Sequence, residues 1–186
     1  MVILIAGASC VGKTFMAQKL LEKYRIPYFS IDHLKMGIYR SNKNCGFTPE
    51  SADEIITGKL WPILKEIVKT IIENKQNIII EGCYLPETID VMGYDYLKKI
   101  IIFCIGFSEQ YIRQNLSTTI YANRSAIENK EYNIVKDIDN YITENKKRKQ
   151  NCINNGIKYF EINEDYEREI ADAYQWIEDE IGKIKE

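Results

Sequence analysis

The residues GASCVGKT at positions 7–14 constrain the fold of this 186-residue chain more than any other segment. They fit the pattern G-x-x-x-x-G-K-[ST] at each fixed position. The apolar segment VILIA runs directly into Gly7, and a helical pattern begins at Lys13. A glycine-containing loop between a strand and a helix directs backbone N–H groups and the positive end of the helix dipole at an anion. Positions 7–14 are therefore predicted to form a phosphate-binding loop, called the phosphate loop below.

Each part of the phosphate loop has a predicted task. Backbone N–H groups surround the phosphates of a nucleoside triphosphate, Lys13 reaches the β- and γ-phosphates, and the Thr14 hydroxyl binds Mg²⁺. The predicted nucleotide contacts come from Gly7, Ala8, Ser9, Cys10, Val11, Gly12, Lys13 and Thr14. A glycine turn without a ligand is the alternative, but the strand before the loop and the helix after it favour nucleotide binding.

The rest of the chain alternates short apolar runs with helical patterns, which is typical of a parallel α/β sheet with right-handed crossovers. After the first strand at 2–6, further strands are predicted at 27–31, 77–80, 99–105 and 157–162. Amphipathic helices are expected at 13–24, from 60 onward and at 165–181, with a capping box of Ser51 and Glu54 and a kink or restart at Pro62. The length suits one domain over 1–186.

The region 108–151 is more polar, and its apolar positions predict two helices broken near 129–133. It is too long for a simple crossover, so we expect a hinged lid; a static helical pair is the alternative. Arg113 and Arg124 fall in this region. Arginine neutralises charge on a transferring phosphoryl group, although either residue could instead be an ordinary surface arginine. The basic run KKRK at 146–149 is expected to be a solvated helix face; contact with phosphates from the far arm of the lid is the alternative.

Two carboxylates follow predicted strands, at the edge of the sheet where open α/β folds bind ligands. Asp32 follows the second strand, and Lys35 lies one helical turn later on the same side. The alternative role for Asp32 is to cap the helix that follows. Glu81 ends the third strand, where a carboxylate can hold Mg²⁺ through water. The alternative for Glu81 is a strand-end residue whose charge is satisfied within the protein.

The segments GASCVGKT, SIDHLK and IIIEGCYLPE, in this order and spacing, resemble the P-loop kinases of small molecules, a group that includes the nucleoside monophosphate kinases. They are most similar to the zeta-toxin, chloramphenicol-phosphotransferase and 2-phosphoglycerate-kinase type. The resemblance covers nearly the whole chain. It implies a P-loop NTPase fold in the α/β class, with a five-stranded parallel sheet in the order 2-3-1-4-5, flanking helices and a helical lid after strand four. It also implies ATP and Mg²⁺, and an acceptor site that includes Asp32, Lys35, Glu81 and Tyr84.

Two positions depart from the monophosphate-kinase pattern. Lys35 stands where those kinases have an arginine, and the segment after Glu81 lacks the arginine of their Asp-Gly-Phe-Pro-Arg motif. Bidentate clamping of an acceptor phosphate would be lost. We therefore expect a phosphotransferase that acts on a hydroxyl group, with Asp32 as general base. A nucleoside monophosphate kinase is one alternative, and a nucleotide-binding sensor or slow NTPase is another.

Charge and composition exclude other classes of partner. The net charge is −2, and the sequence shows no basic groove with interleaved aromatic residues. Both features disfavour binding to nucleic acid. No apolar run approaches the roughly 20 residues of a membrane span. The five cysteines are scattered without a C-x-x-C, and one histidine cannot complete a zinc set. We therefore expect a cytoplasmic protein with a small-molecule substrate and no nucleic-acid or membrane partner, whose oligomeric state the sequence does not indicate.

Overall fold

The computed structural model describes residues 1–86, 92–123 and 137–185. Within these ranges five parallel strands form a sheet in the order β2-β3-β1-β4-β5, which confirms the predicted order. The strands lie close to their predicted positions and are β1 (Val2–Gly7), β2 (Tyr28–Ser30), β3 (Ile78–Gly82), β4 (Ile100–Phe107) and β5 (Lys158–Ile162).

Helices cover both faces of the sheet. They are α1 (Lys13–Tyr24), α2 (Ile31–Ser41), α3 (Asp53–Glu73), α4 (Tyr94–Leu97), α5 (Glu109–Asn115), α6 (Ile138–Asn154) and α7 (Tyr166–Lys185). A π-helical turn at Leu116–Ile120 follows α5 directly. None of the described helices combines the length and the apolar character needed to cross a bilayer.

The central strand β1 is buried along its whole length because it pairs with β3 on one side and β4 on the other. Its alternate side chains enter two separate cores. Ile3 and Ile5 pack with α1, α5, α6 and α7, whereas Leu4 and Ala6 pack with α3. The phosphate loop therefore leaves the middle of the sheet at the carboxyl edge, where ligands bind in open α/β folds.

Helix α3 differs from its prediction in two ways. It is continuous through Pro62 rather than restarting there, and its N-cap residue is Ala52 without a side-chain cap. The predicted capping box is wrong because the Ser51 hydroxyl instead accepts a hydrogen bond from the Thr48 backbone N–H, at 2.9 Å. A buried stripe at four-residue steps holds the helix on the sheet: Ile56, Leu60, Leu64, Val68 and Ile72.

Several large apolar residues of the two helices α1 and α3 are exposed. Ile63 and Ile67 of α3 are 44% and 37% exposed, and Phe15 of α1 is 37% exposed. A buried stripe covers only one side of a helix, and each of these residues lies beside the stripe rather than on it. The inward positions of α1 belong to Met16, Ala17 and Leu20.

The flanks of the predicted lid pack into the main body of the protein. The buried apolar residues in the described part of this region share a core with α1 and α7: Tyr111, Ile112, Leu116, Ile120, Tyr141 and Ile142. The predicted break near 129–133, and Arg124, lie outside the described residues. The hinged lid therefore stays a prediction, and within the described ranges the segments 108–123 and 137–151 belong to the folded core.

Candidate active site

The phosphate loop has the geometry that its glycines require. Gly12 is the N-cap residue of α1 with φ of 89°, a conformation that favours glycine. A Cβ atom at this position would also lie 2.0 Å from the Tyr166 hydroxyl. Cys10 adopts the left-handed conformation without being glycine, at φ 64°. A left-handed non-glycine residue is strained, and it persists only when its surroundings hold it.

Lys13 is buried at the start of α1, with 7% of its surface exposed. Its Nζ donates to the Ala8 carbonyl at 2.7 Å and to the Cys83 Sγ at 3.3 Å. Burial lowers the pKa of the Lys13 ammonium, but Cys83 and the Glu81 charge raise it by more, so the net shift is upward. No carboxylate among the described residues forms an ion pair with Lys13, and its charge is directed into the loop.

Glu81 lies at the end of β3, paired in register with Ile5 of β1. Its side chain is buried, and Oε1 has no hydrogen-bond partner among the described residues. Burying such an oxygen without a hydrogen-bond partner costs free energy. This argues against the alternative in which the charge of Glu81 is satisfied by other groups of the protein. The Glu81 carboxylate and the Thr14 hydroxyl supply oxygen donors, the type that Mg²⁺ prefers.

The donor set fits a magnesium ion held mainly by water and phosphate. The described residues contain no group of three or more His, Cys, Asp or Glu that could hold a metal. Mg²⁺ commonly uses one or two protein oxygens, substrate phosphates and several waters rather than a cage of side chains. Two oxygen ligands from the protein, those of Thr14 and Glu81, are therefore enough for a magnesium ion of this kind.

Asp32, Lys35 and Tyr84 form one cluster beside the phosphate loop, called the acceptor cluster below. The Lys35 Nζ lies 3.0 Å from the Asp32 Oδ1 and donates to the Tyr84 hydroxyl oxygen at 2.8 Å. Ser30, not Asp32, is the N-cap residue of α2, so the capping alternative for Asp32 is not observed. The structure thus brings together three residues that the sequence placed on the acceptor side, although their roles stay predictions.

The acceptor cluster has a defined protonation state. Burial lowers the pKa of Lys35, but the Tyr84 hydrogen bond and the Asp32 charge raise it above its usual value. Burial raises the pKa of Tyr84 to about 12, against a smaller lowering by Lys35. At neutral pH Lys35 is therefore charged and Tyr84 is neutral. Because Tyr84 accepts its bond from Lys35, it keeps its own proton for donation.

Arg113 does not contact the phosphate loop in this structure. It is half exposed at the end of α5, and its guanidinium pairs with Glu109 at 2.8 Å and with Asp139 at 3.2 Å. Arg124 lies outside the described residues. Neither lid arginine is brought to the site by the described contacts, so the catalytic role given to each stays a prediction.

Arg148 overturns the prediction of a wholly solvated KKRK face. Its side chain is buried, with Nη2 2.5 Å from the Asp53 Oδ2 and Nε 3.6 Å from the Glu144 Oε1. The same Nε has no hydrogen-bond partner among the described residues. Lys146 and Lys147 are exposed, with 62% and 60% of their side chains in solvent, whereas Lys149 is half-buried and pairs with Glu161.

The Arg148 charge acts electrostatically on Lys13 of the phosphate loop. It opposes the upward shift in the pKa of Lys13, and it lowers the pKa of the Cys83 thiol, which burial raises overall. The buried charges of Lys13 and Arg148 therefore both act on the Cys83 thiol, whose pKa each of them lowers. The sequence contained a signal for this, because the inward stripe of α6 follows three- and four-residue steps: Tyr141, Asn145, Arg148 and Cys152.

Comparisons with known proteins identify the fold. The chain superimposes on a shikimate kinase from Bacteroides thetaiotaomicron with a TM-score of 0.55 and 15% sequence identity, covering 96% of this chain and 98% of that one. A sugar kinase from Janibacter sp. matches with a TM-score of 0.50 and 12% identity, covering 95% and 94%. No protein-family model and no curated protein matches the sequence.

These likenesses show that the chain has the fold of the P-loop kinases of small molecules. At this level of identity they establish the fold alone. The closer resemblance to the zeta-toxin, chloramphenicol-phosphotransferase and 2-phosphoglycerate-kinase type stays a prediction.

Proposed function

We propose that this protein is an ATP- and Mg²⁺-dependent phosphotransferase that moves the γ-phosphate of ATP to a hydroxyl group of a small molecule. The observation that carries the proposal is the juxtaposition of two groups: the phosphate loop, whose buried Lys13 contacts Cys83, and the Asp32–Lys35–Tyr84 cluster, whose members follow strands β2 and β3. The names of the two structural neighbours, a shikimate kinase and a sugar kinase, support the same class of reaction.

The donor side holds the phosphates of ATP. Loop N–H groups and the α1 N-terminus hold the phosphate oxygens, and Lys13 neutralises charge on the phosphate that is transferred. Mg²⁺, when bound, would neutralise phosphate charge, and Thr14 and Glu81 are the residues that would hold it. Arg148 adds a second buried positive charge at this edge. Arginine is the residue type that stabilises the charge of a phosphoryl-transfer transition state.

The acceptor side handles one hydroxyl group and its proton. The acceptor oxygen forms a bond to the γ-phosphorus, the bond from that phosphorus to the ADP oxygen breaks, and the hydroxyl proton passes to the Asp32 carboxylate. Lys35 holds Asp32 in place through the 3.0 Å ion pair, and Tyr84 can donate its proton to a second polar group of the acceptor.

A hydroxyl acceptor fits this cluster better than a phosphate. The Lys35 charge is already paired with Asp32, so it is not a spare cation for an acceptor phosphate. A phosphate acceptor also needs no base, because its oxygen is already deprotonated at neutral pH. We further propose a cytoplasmic location and a small-molecule partner only.

Substitution of Asp32 tests the proposal. Asp32→Asn removes the base but keeps the side-chain shape, so kcat should fall by about 10²–10⁴-fold, and the acidic limb of the pH–rate profile should disappear. His33→Gln, at the next position of α2, serves as the matched control. The assay should measure ADP formation with a panel of hydroxyl metabolites, at several Mg²⁺ concentrations.

Three results would contradict the proposal. Rapid phosphorylation of AMP or another monophosphate would indicate a nucleoside monophosphate kinase. An Asp32→Asn defect that vanishes in excess Mg²⁺ would give Asp32 a metal-positioning role. ATP binding without any acceptor-dependent turnover would indicate a nucleotide sensor.

A further inference from the structure

Two tyrosines from distant parts of the chain donate hydrogen bonds to the phosphate loop. The Tyr141 hydroxyl of α6 donates to the Ser9 carbonyl at 2.5 Å. The Tyr166 hydroxyl, at the start of α7, donates to the Val11 carbonyl at 3.4 Å. The two acceptor carbonyls lie on either side of Cys10. Neither tyrosine belongs to the acceptor cluster or to a residue pattern of the loop itself.

We infer that Tyr141 and Tyr166 are positioning residues that aim two backbone N–H groups of the phosphate loop at the phosphates of ATP. The inference rests on the proposed function. It follows from the planarity of the peptide group, in which the C=O of one residue and the N–H of the next point in opposite directions. A bond to the Ser9 carbonyl therefore orients the Cys10 N–H, and a bond to the Val11 carbonyl orients the Gly12 N–H.

The loop requires such support because of the residue between the two carbonyls. Cys10 is in the left-handed conformation at φ 64°, where a non-glycine residue is strained. Without outside contacts the Ser9–Cys10 peptide and the Val11–Gly12 peptide one residue beyond it could relax, and their N–H groups would turn away from the ligand. Gly12 makes the second contact possible, because a Cβ there would lie 2.0 Å from the Tyr166 hydroxyl.

The two anchors also link the loop to the rest of the site. Tyr141 is fully buried and lies on the same inward stripe of α6 as Arg148. One helix thus supplies both a cation for the phosphate region and a fixed point for the loop. Tyr166 packs against Phe107 at the end of β4, with ring centroids 6.3 Å apart. This contact holds the Tyr166 ring in place from β4, whereas Tyr141 is held by α6.

Replacing each tyrosine with phenylalanine removes one hydrogen bond and keeps the ring. We expect Tyr141→Phe and Tyr166→Phe each to weaken binding of a non-hydrolysable ATP analogue about two- to tenfold, the equivalent of one neutral hydrogen bond. Inorganic tripolyphosphate should lose affinity by the same factor, because the effect acts on phosphate alone. The matched control is Tyr159→Phe, since the Tyr159 hydroxyl has no hydrogen-bond partner among the described residues.

Amide spectra of the protein without ligand provide a readout that does not depend on the proposed function. Tyr141→Phe should shift the Cys10 amide resonance, Tyr166→Phe should shift the Gly12 amide resonance, and Tyr159→Phe should leave both in place. This pattern, with the parallel losses for ATP analogue and tripolyphosphate, supports the inference. A lost hydroxyl that matters only for folding would lower the melting temperature without this pairing of variant and amide.

Three results would overturn the inference. In the first, both variants bind the two probes as the wild type does. In the second, the ATP analogue loses affinity but tripolyphosphate does not, which would place the tyrosines at the nucleoside instead. In the third, the amide shifts fail to match the pairs. Failure of the wild type itself to bind either probe would contradict the proposed function, and that result is separate from the amide shifts.

Discussion

Three buried cations dominate the site at the scale of single residues. Lys13, Lys35 and Arg148 are each at most 7% exposed. Taking a charge out of water costs several kcal/mol unless partners compensate for it. Lys35 and Arg148 have carboxylate partners, whereas the Lys13 Nζ contacts a carbonyl and a thiol. Lys13 is therefore the cation whose charge is best compensated by a bound phosphate.

Arg148 carries the first residue-scale prediction. Arg148→Met removes a buried positive charge near the phosphate loop, so kcat should fall by about 10³-fold or more. Lys147→Met is the matched control, because Lys147 is the preceding residue and pairs with Glu54 while remaining exposed. The measurement is kcat with saturating ATP, for variants shown to be folded by circular dichroism.

Arg148→Met leaves Asp53 and Glu144 without their shared partner, which can destabilise the fold by about 3–5 kcal/mol. Arg148→Lys is the second variant, since it keeps the charge and loses the planar fork. A folded Arg148→Met protein with kcat near that of the wild type would exclude a catalytic role for Arg148.

The sequence predicted part of this site and missed part of it, for identifiable reasons. Lys13 follows from the loop pattern, and the Asp32–Lys35 contact follows from their spacing of one helical turn. Arg148 was hidden because a run of four basic residues is usually a solvated face. The signal that separates Arg148 from the three lysines is the stripe of three- and four-residue steps in α6, which the basic run obscured.

At the scale of secondary-structure elements, burial on two faces made the strands predictable. Nearly continuous apolar runs such as β1 and β4 fit only the middle of a parallel sheet. Helix α3 was harder, because its apolar residues cover more than one stripe and Pro62 suggested a break. The buried stripe outweighs the local cost of the proline, so the helix continues through it.

Two glycine substitutions test this account of the elements. Gly58 lies in the exposed part of α3 with open space at its Cβ position, so Gly58→Ala should raise the free energy of unfolding by about 0.5–1 kcal/mol. In Gly82→Ala, the new Cβ would meet the Ile31 Cγ2 at 1.9 Å, and this buried contact should cost about 1–3 kcal/mol.

Urea unfolding of the two variants beside the wild type measures both effects. A destabilised Gly58→Ala protein would mean that α3 is not a regular helix at this position. A neutral Gly82→Ala protein would mean that β3 and the start of α2 are not packed as described.

At the scale of the whole molecule, the sheet order brings the functional segments together. Order β2-β3-β1-β4-β5 sets β3 beside both β1 and β2, so Glu81 lies between the phosphate loop and the acceptor cluster. This order came from the family resemblance, because the apolar pattern of single strands does not determine which strands are neighbours. The predicted lid depends on residues 124–136, which include Arg124 and lie outside the described ranges.

Transfer of labelled phosphate tests the central claim most directly. Wild-type protein and Lys13→Met would be incubated with γ-labelled ATP, Mg²⁺ and a metabolite extract, and the products separated by chromatography. The proposed phosphotransfer predicts label on a hydroxyl-bearing metabolite, formed about a thousandfold or more slowly by the folded Lys13→Met protein. Label that stays on ATP, goes only to inorganic phosphate, or is transferred equally well by Lys13→Met would contradict it.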